Sequence, residues 1–431
     1  MKPGATESIP RFAYRDVLAL RSFRNLWFGQ ICSQFAVSTL LFVLGLRVYQ
    51  TTASNTAVSA LFLAHSIPAV LFGLVAGTVV DRLDKRRVLI TCDIIRGMFV
   101  ILLTFASHNV FFVYIFTFVN SLITQMYVPA EAPLIPTLVS GKRLVSANSL
   151  FSFTFYSSLA VGSVLAGPLL RAFGPQGIFF FIAGLFLLAS LFSSRIPSQS
   201  RGTAGLRYIM HLGVGYLMGR VWNRLVDGVR YVTATKSLFD AIVLLTGTQI
   251  IFAILGTLGP GFADRILQVD VRDSSLFIVG PAVLGIVGGA LWLGSTGYRF
   301  GPARLIQIGT AATGILLMAV AISVRLGRVS QLSFLTHSYG IVVVVVVLLF
   351  FLGVANSLLD VPANAMLQAE AKGTMRGRVY GMLAAFVGGV GFLPVILSGV
   401  LADTIGVGKV IFLLGVLVSL YGIYRVRYNR L

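Results

Sequence analysis

The chain has 431 residues, of which 57% are hydrophobic and only 11% are charged, and its formal net charge is +20. An ordinary soluble domain is about 45–50% apolar and about 25% charged. This composition argues against a soluble enzyme or binding module and indicates a chain that is folded in lipid.

Apolar stretches of about 20 residues with few charges are long enough to cross a bilayer as helices. Twelve such stretches follow one another, and they predict an all-α membrane protein with twelve transmembrane helices, called spans 1 to 12 below. The spans comprise residues 25–49, 56–80, 88–107, 110–132, 148–170, 175–194, 238–262, 274–296, 304–324, 338–362, 378–402 and 406–424.

The basic residues are distributed unevenly between the two sides that these spans define. With a cytoplasmic N-terminus, 26 of the 34 Lys and Arg residues fall on inner segments and 7 fall at or near the outer side. The positive-inside rule then predicts a multi-pass protein of the cell inner membrane with both termini in the cytoplasm. Orientation and contacts with lipid headgroups explain the basic excess, so we expect no nucleic-acid partner.

Reactive residues do not form a recognisable catalytic or metal-binding pattern. Cys32 and Cys92 both fall inside predicted spans, which argues against an exported disulfide framework. The sequence contains no P-loop, no nucleophile–base constellation and no metal-ligand spacing. We therefore predict that the protein is not an enzyme and needs no cofactor or metal.

The longest polar interruption divides the spans into two sets of six. We predict a cytoplasmic lead-in (1–24), a first bundle (25–194), a cytoplasmic linker with an interfacial helix (195–237), a second bundle (238–424) and a basic tail (425–431).

Short strings recur in the two halves. "VPAEA" at 128–132 has a counterpart in "VPANA" at 361–365, and "GTVVDRLDKRR" at 77–87 aligns with "GSTGYRFGPAR" at 294–304. Duplicated halves are typical of secondary transporters, whose substrate site lies near the midplane between them. The repeat thus predicts two pseudo-symmetric six-helix bundles.

Several strings resemble those of a known family. With "G-x-x-x-D-R-x-D-K-R-R" at 77–87, two sets of six helices and a long central loop, the chain resembles the major facilitator superfamily. "FRNLWFGQICSQ" at 23–34, "VPAEAPLIPTL" at 128–138 and "RGRVYG" at 376–381 are similar to strings of its bacterial macrolide-efflux and enterobactin-exporter-like branch. The resemblance implies the major facilitator fold and a transport function, and it identifies no substrate.

The charged string after span 2 is predicted to be a conformational latch, meaning a group of contacts that joins the two halves on the cytoplasmic side. Gly77 lies one turn before Asp81 and allows another helix to approach closely. Asp81 is expected to face the N-terminal end of a helix in the other half, which favours a negative charge. The resemblance implies span 11 as this helix, with Arg376 and Arg378 at its beginning.

The basic residues Arg82, Arg86 and Arg87 complete the predicted latch. We expect Arg86 and Arg87 to pair with Glu131 at the inner end of span 4. The alternative is that these residues serve only as positive-inside anchors, which leaves the acidic residues of the string unexplained.

Polar side chains recur at helical spacing inside several spans. Polar groups in a membrane usually face a cavity or a partner, so we expect these residues to line a central substrate path. Hydrogen bonding between helices without substrate contact is the alternative for each. The candidates are Gln30, Gln34, Ser38, Asn120, Thr124, Tyr127, Ser152, Tyr156, Gln249 and Asn356.

Proton coupling requires an ionisable group that changes its protonation as access alternates. Glu131, Asp360 and His65 are the candidates, because acids in a low dielectric bind protons readily. Gating is the alternative for the two acids, and a hydrogen-bonded core histidine is the alternative for His65. Asp93 precedes Arg96 by one turn, so we expect a structural ion pair there.

Small residues and prolines occur in corresponding helices of the two halves. They allow close packing and bending, so we expect hinges or sliding faces, with static packing as the alternative. The residues are Gly162, Gly167 and Pro168 in span 5, and Gly388, Gly389, Gly391 and Pro394 in span 11.

Together these features predict a monomeric secondary transporter that exports a small amphiphilic or hydrophobic compound by proton antiport. Its predicted partners are this small-molecule substrate, protons and membrane lipids. An importer or lipid-moving transporter of the same fold is one alternative. A transport-inactive sensor or scaffold is another, and a filled interface between the halves would favour it.

Overall fold

A computed structural model describes residues 13–80, 83–139, 143–198, 230, 232–296, 300–329, 338–370, 383, 386 and 391–428 of the chain. The described segments are helical, apart from short turns between them. A short helix, Ala13–Leu18, precedes the first long one. Most of the predicted linker and the predicted interfacial helix lie outside the described residues.

The long helices follow the predicted spans in order. They are Arg21–Thr52 (span 1), Asn55–Val80 (span 2), Lys85–Ala106 (span 3), Val110–Glu131 (span 4), Arg143–Ser194 (spans 5 and 6), Lys236–Phe262 (span 7), Gly280–Thr296 (span 8), Pro302–Val329 (span 9), Ser338–Glu370 (span 10), Phe392–Ile405 (span 11) and Val407–Tyr428 (span 12). Short helical turns, Ala132–Leu134, Ile135–Leu138, Ala263–Leu267, Val271–Asp273 and Ser275–Val279, connect some of them.

Within the described part of the chain, nine helices are long and apolar enough to cross a membrane. One of them, Ser146–Ser194, is part of the element Arg143–Ser194. This element has 52 residues and would extend about 78 Å if it were straight, far more than a bilayer of about 30 Å. It is interrupted at Gly174, whose φ of 72° and ψ of 175° are not helical. The predicted spans 5 and 6 therefore share this element. The all-helical membrane fold is confirmed, and the total of twelve spans stays a prediction.

Local sequence explains where several helices begin. The Asp84 side chain accepts a hydrogen bond from the backbone N–H of Arg86 and so caps span 3. The Asn109 side chain caps span 4 in the same way, through the N–H of Phe111. Such caps satisfy N–H groups that have no partner inside the helix.

The helices pack into two sets, one formed by spans 1 to 6 and one by spans 7 to 12. Each set has its own apolar core: Phe179, Ile182 and Phe186 belong to the first, and Leu317, Val345 and Leu352 to the second. Large apolar side chains are also exposed on the outside of both sets, as expected for a surface that faces lipid. This arrangement agrees with the two predicted bundles.

The two ends of the molecule differ in how the halves meet. The start of span 1 and the ends of spans 2, 4 and 6 share one apolar cluster, at what we call the terminal face. At the other end, the opposite face, hydrogen bonds and ion pairs join the halves. The hydroxyl of Tyr49 donates to Asp264 Oδ2 at 3.0 Å, and Arg171 Nη2 lies 2.6 Å from Asp273 Oδ2.

Candidate functional site

Charged side chains from spans 3 and 4 meet inside the first half. Asp93 and Arg96 lie one turn apart on span 3, and Glu131 ends span 4. Their exposed fractions are 0%, 1% and 7%. Fully buried charges are rare unless they are paired or functional. This cluster, Asp93–Arg96–Glu131, is the candidate site.

Hydrogen bonds from neighbouring helices orient the Asp93–Arg96 pair. The two side chains approach to 3.5 Å, between Arg96 Nη1 and Asp93 Oδ1. The Ser33 hydroxyl on span 1 donates to Asp93 Oδ1 at 2.9 Å and accepts from Arg96 Nη1 at 3.2 Å. Arg96 Nη2 donates to the Thr124 hydroxyl on span 4 at 2.9 Å. The pair therefore connects three helices.

Aromatic rings enclose the guanidinium. Its central carbon lies 4.8 Å from the ring centroid of Tyr127 and 5.7 Å from that of Phe186. A cation over an aromatic face is stabilised by the ring's electron density, more strongly where water is excluded. The Tyr127 side chain also interacts with the carboxylates of both Asp93 and Glu131. Tyr127 thus brings Glu131 into the same electrostatic unit as the pair on span 3.

The cluster has unfilled hydrogen-bonding capacity and unequal charge. Among the described residues, Asp93 Oδ2, Arg96 Nε and Glu131 Oε1 are buried atoms without a hydrogen-bond partner. The cluster contains two carboxylates and one guanidinium, so it is negative when all three groups are ionised. An uncompensated buried charge is costly, and the uptake of one proton removes it. The arrangement can therefore bind and release a proton.

Other titratable groups border the cluster. His65 on span 2 experiences the charge of Arg96, and its Nδ1 is buried without a hydrogen-bond partner in the described structure. Its backbone carbonyl accepts a hydrogen bond from the Ser121 hydroxyl of span 4. The thiols of Cys32 and Cys92 lie near Asp93. His65 thus stays a candidate for proton coupling, beside Glu131.

The third proton-coupling candidate lies elsewhere. Asp360 is half-buried on span 10 of the second half, where its Oδ2 accepts a hydrogen bond from Asn364 Nδ2 at 3.1 Å. Asn364 is one turn further along the same helix and also donates to the Asp360 carbonyl. The structure therefore brings Glu131 and His65 towards Arg96 and places Asp360 apart from them.

The predicted cavity residues have different environments. Gln30 and Ser38 are buried and donate to backbone carbonyls, of Phe151 and Gln34 respectively, and Thr124 and Tyr127 belong to the charged cluster. The contacts of Gln30 and Thr124 fit the alternative of interhelical bonding, whereas Ser38 bonds within its own helix. The others are Asn120, which is buried, Gln34 and Asn356, which are half-buried, and Ser152, Tyr156 and Gln249, which are exposed.

The predicted cytoplasmic latch is described only in part. Asp81, Arg82, Arg376 and Arg378 lie outside the described residues, and Gly77 lies within the span 2 helix.

The expected pairing of Arg86 and Arg87 with Glu131 differs from the structure. Arg86 donates to the carbonyl of Ser194 at the end of span 6, and Arg87 Nε lies 3.7 Å from Asp84 Oδ2. Glu131 instead faces the span 3 pair inside the bundle. Cations at a helix C-terminus are favourable, which explains the position of Arg86.

The glycines of span 5 have two different roles. A Cβ at Gly162 would lie 2.9 Å from the Ser38 Cβ and 3.0 Å from the Phe35 carbonyl, both on span 1 of the same half. A Cβ at Gly167 would overlap the Arg272 carbonyl and the Ser275 hydroxyl of the other half. Gly162 therefore packs spans within one bundle, whereas Gly167 allows the two halves to meet.

The remaining hinge candidates are less informative. Pro168 lies inside the helix of spans 5 and 6, and Gly391 and Pro394 lie at the start of the described part of span 11. Gly388 and Gly389 lie outside the described residues. Motion at these positions stays a prediction.

The packing of Gly162 can be tested by stability. Gly162→Ala is expected to lower the free energy of unfolding by about 1–3 kcal/mol, because the added methyl group overpacks a tight helix contact. Gly184→Ala is the control, since a Cβ there meets nothing within 4 Å in the same helical element. Thermal unfolding of both purified variants in detergent measures the difference. Equal midpoints would contradict the close packing of spans 1 and 5.

Two sets of membrane-crossing helices, with buried charges inside one set and polar contacts between the sets, define a multi-pass membrane transporter. The family model of the Major Facilitator Superfamily matches residues 26–326. The chain belongs to this superfamily, which confirms the resemblance inferred from its motifs.

Similar proteins include efflux pumps. The chain is 25% identical to the multidrug efflux pump Tap of Mycolicibacterium fortuitum over 395 residues, covering 89% of this chain and 90% of that protein. It is 23% identical to macrolide efflux protein A of Streptococcus pyogenes over 415 residues, covering 92% and 93%. It is also 23% identical to the uncharacterised transporter YfiS of Bacillus subtilis over 388 residues, covering 89% and 87%. The predicted similarity to the macrolide-efflux branch is confirmed.

Solved structures of transporters share the fold. The nucleoside transporter NupG matches with a TM-score of 0.69 at 14% identity, covering 94% of this chain and 99% of that chain. The peptide transporter family member PepTSo matches with a TM-score of 0.71 at 17% identity, covering 95% and 98%. At these identities the likeness concerns the fold and says nothing about the substrate.

Proposed function

We propose that the protein exports a small amphiphilic or hydrophobic compound in exchange for protons, by alternating access. The observation that carries the proposal is the Asp93–Arg96–Glu131 cluster, in which Asp93 pairs with Arg96 and a second buried carboxylate, Glu131, lies within the electrostatic influence of the same guanidinium. A single pair of one carboxylate and one guanidinium would be enough to hold the helices of the bundle together. The additional carboxylate supplies a position for a proton that can be occupied or empty.

The geometry supports a different role for each member of the cluster. Asp93 holds Arg96 through their ion pair and through Ser33, so Asp93 and Arg96 form the fixed part. Asp93 Oδ2 and Glu131 Oε1 are both buried without a hydrogen-bond partner in the described structure, but Asp93 is already held by its ion pair with Arg96 and by Ser33. Glu131 is therefore the member best able to accept the proton. With Glu131 protonated the cluster is neutral, and with Glu131 ionised the cluster attracts a cation. Binding or release of that proton therefore changes the net charge of the cluster.

Export is supported by the relatives and by the distribution of charge. Tap and macrolide efflux protein A are named as efflux proteins, and each aligns with about nine-tenths of this chain. The excess of Lys and Arg on the terminal face supports a cytoplasmic position for that face in a bacterial-type inner membrane. Exposed polar side chains inside spans, such as Gln249 and Ser152, are proposed to contact the substrate.

A flux experiment tests this function. The protein is reconstituted into liposomes, and the transport of a macrolide and of ethidium is followed with and without an imposed pH gradient. We expect accumulation on the acidic side that collapses when an ionophore dissipates the gradient. Rates that do not respond to the gradient would contradict proton antiport. Movement of fluorescent phospholipid instead would favour a lipid-moving transporter, and the absence of any movement would favour a sensor or scaffold.

A further inference from the structure

One carboxylate, Asp403 near the end of span 11, connects the second half to the beginning of span 2 in the first half. Its Oδ2 accepts hydrogen bonds from the Ser54 hydroxyl at 2.6 Å, the Thr56 N–H at 2.9 Å and the Thr56 hydroxyl at 2.8 Å. Its Oδ1 accepts from the Asn55 N–H at 3.0 Å and from Asn55 Nδ2 at 2.9 Å. Both oxygens are thus surrounded by donors of the other half.

A basic residue completes the contact. Arg265, which follows span 7, lies 3.7 Å from Asp403 Oδ1 through its Nη1 and also donates to the backbone carbonyl of Ala53. The guanidinium therefore compensates the carboxylate within the second half and holds the loop before span 2. Three segments that are distant in sequence meet at this point.

The site is at the N-terminus of a 26-residue helix, Asn55–Val80. The first N–H groups of a helix have no partner within it, and the helix dipole is positive there. Asp403 satisfies the N–H groups of Asn55 and Thr56, so the second half supplies a helix cap to the first. A charge-assisted hydrogen bond is about twice as strong as a neutral one.

The surrounding helices are shaped for this contact. Asn55 is fully buried, and a Cβ at Gly261 of span 7 would overlap its side chain. A Cβ at Gly399 of span 11 would overlap the Ser59 hydroxyl, which donates to the Val395 carbonyl at 3.1 Å. Spans 2, 7 and 11 can therefore approach closely only because these two positions are glycines.

We propose that Asp403 is the central residue of a latch that holds the opposite face closed, and that breaking its contacts is a required step whenever this face opens. The proposal goes beyond the transport function, since it concerns which face is closed and needs no substrate or proton gradient. The proposed latch lies at the opposite face, away from the terminal face at which Asp84, Arg86 and Arg87 lie.

The test measures how often the opposite face is open. Spin labels are attached to cysteines introduced by Thr51→Cys and Thr404→Cys. Cys32 and Cys92 are replaced by alanine so that only the introduced cysteines react. Both threonines are exposed, and their hydroxyls bond to carbonyls of their own helices, so the labels leave the latch intact. Pulsed electron–electron double resonance in nanodiscs then measures the distances between the two labels. The ratio of long to short distances is the ratio of open to closed molecules.

Asp403→Asn is expected to raise the open-to-closed ratio by about tenfold or more, because the amide NH₂ group faces donors where the carboxylate oxygen accepted from them. Asp273→Asn is the matched control, since it removes an aspartate that also joins the halves at this face. Asp273 and Asp403 are similarly exposed, at 21% and 22%, but Asp273 is joined to the other half through the side chain of Arg171, whereas five donors of the other half surround Asp403. Loss of the partly exposed Arg171–Asp273 pair is therefore expected to change the ratio by less than about fivefold.

A milder variant keeps the proposal testable if Asp403→Asn does not fold. Thr56→Val removes one hydroxyl donor but retains the carboxylate and both backbone N–H donors, so it is expected to shift the ratio in the same direction by a smaller factor. The latch is refuted if both Asp403→Asn and Thr56→Val leave the wild-type ratio unchanged. It is equally refuted if Asp273→Asn opens the face as much as Asp403→Asn does. Should Asp403→Asn fail to fold, the ratio measured for Thr56→Val decides.

Discussion

Glu131→Gln is expected to reduce proton-driven accumulation of substrate to the level of protein-free liposomes. Glutamine has nearly the shape of glutamic acid but cannot take up or release the proton, so the cluster remains permanently in its neutral form. Exchange of labelled for unlabelled substrate across the membrane, which needs no net proton movement, is expected to continue. The ratio of driven accumulation to exchange therefore separates loss of coupling from loss of transport.

The matched control is Asp360→Asn, the equivalent change at the acidic candidate of the second half. Because Asp360 bonds to Asn364 of its own helix and is separate from Arg96, we expect this variant to retain gradient-dependent accumulation. The opposite result, with accumulation lost in Asp360→Asn and retained in Glu131→Gln, would move the coupling site to span 10. Equal loss in both would indicate that the two acids act together.

Arg96→Met is expected to lower the free energy of unfolding by about 3–5 kcal/mol, because it leaves two buried carboxylates without their cation. Methionine retains most of the length of the arginine side chain, so the loss of packing is small compared with the loss of charge. Unfolding of the purified protein by denaturant in detergent measures the change. The defect is expected to lessen at acidic pH, where protons neutralise the carboxylates.

A double variant tests whether Glu131 belongs to the same unit. Arg96→Met combined with Glu131→Gln is expected to be more stable than Arg96→Met alone, with an interaction energy of about 0.5–3 kcal/mol for groups that share a network. Arg96→Met combined with Asp360→Asn is the control, and its two effects should simply add. Additivity in both combinations would show that Glu131 does not share Arg96.

The surroundings of Arg96 show what sequence spacing can and cannot predict. The i, i+3 spacing of Asp93 and Arg96 correctly predicted an ion pair on one helix. It did not predict that Glu131, on the next span, faces the same guanidinium. An arginine in the middle of an apolar span was the available signal, because such a charge is expected to have more than one polar neighbour.

The latch residues show the same limit over a longer distance. The sequence does not single out Asp403, since a single acid at the end of an apolar stretch is an ordinary helix boundary. Its donors, Ser54, Asn55 and Thr56, are almost 350 residues earlier in the chain. Arg86 and Arg87 were expected at Glu131, yet they contact a helix C-terminus and Asp84.

The amino-acid sequence alone was sufficient for the membrane environment, the order of the spans, the internal repeat and the superfamily. These properties follow from local quantities, since the thickness of the bilayer sets the length of each apolar run and motifs are contiguous strings. Only the tertiary structure decided which buried charges share a cluster and which residues join the two halves. Such contacts depend on the rotation of each helix about its axis and on close approaches at single glycines, which hydropathy and spacing do not encode.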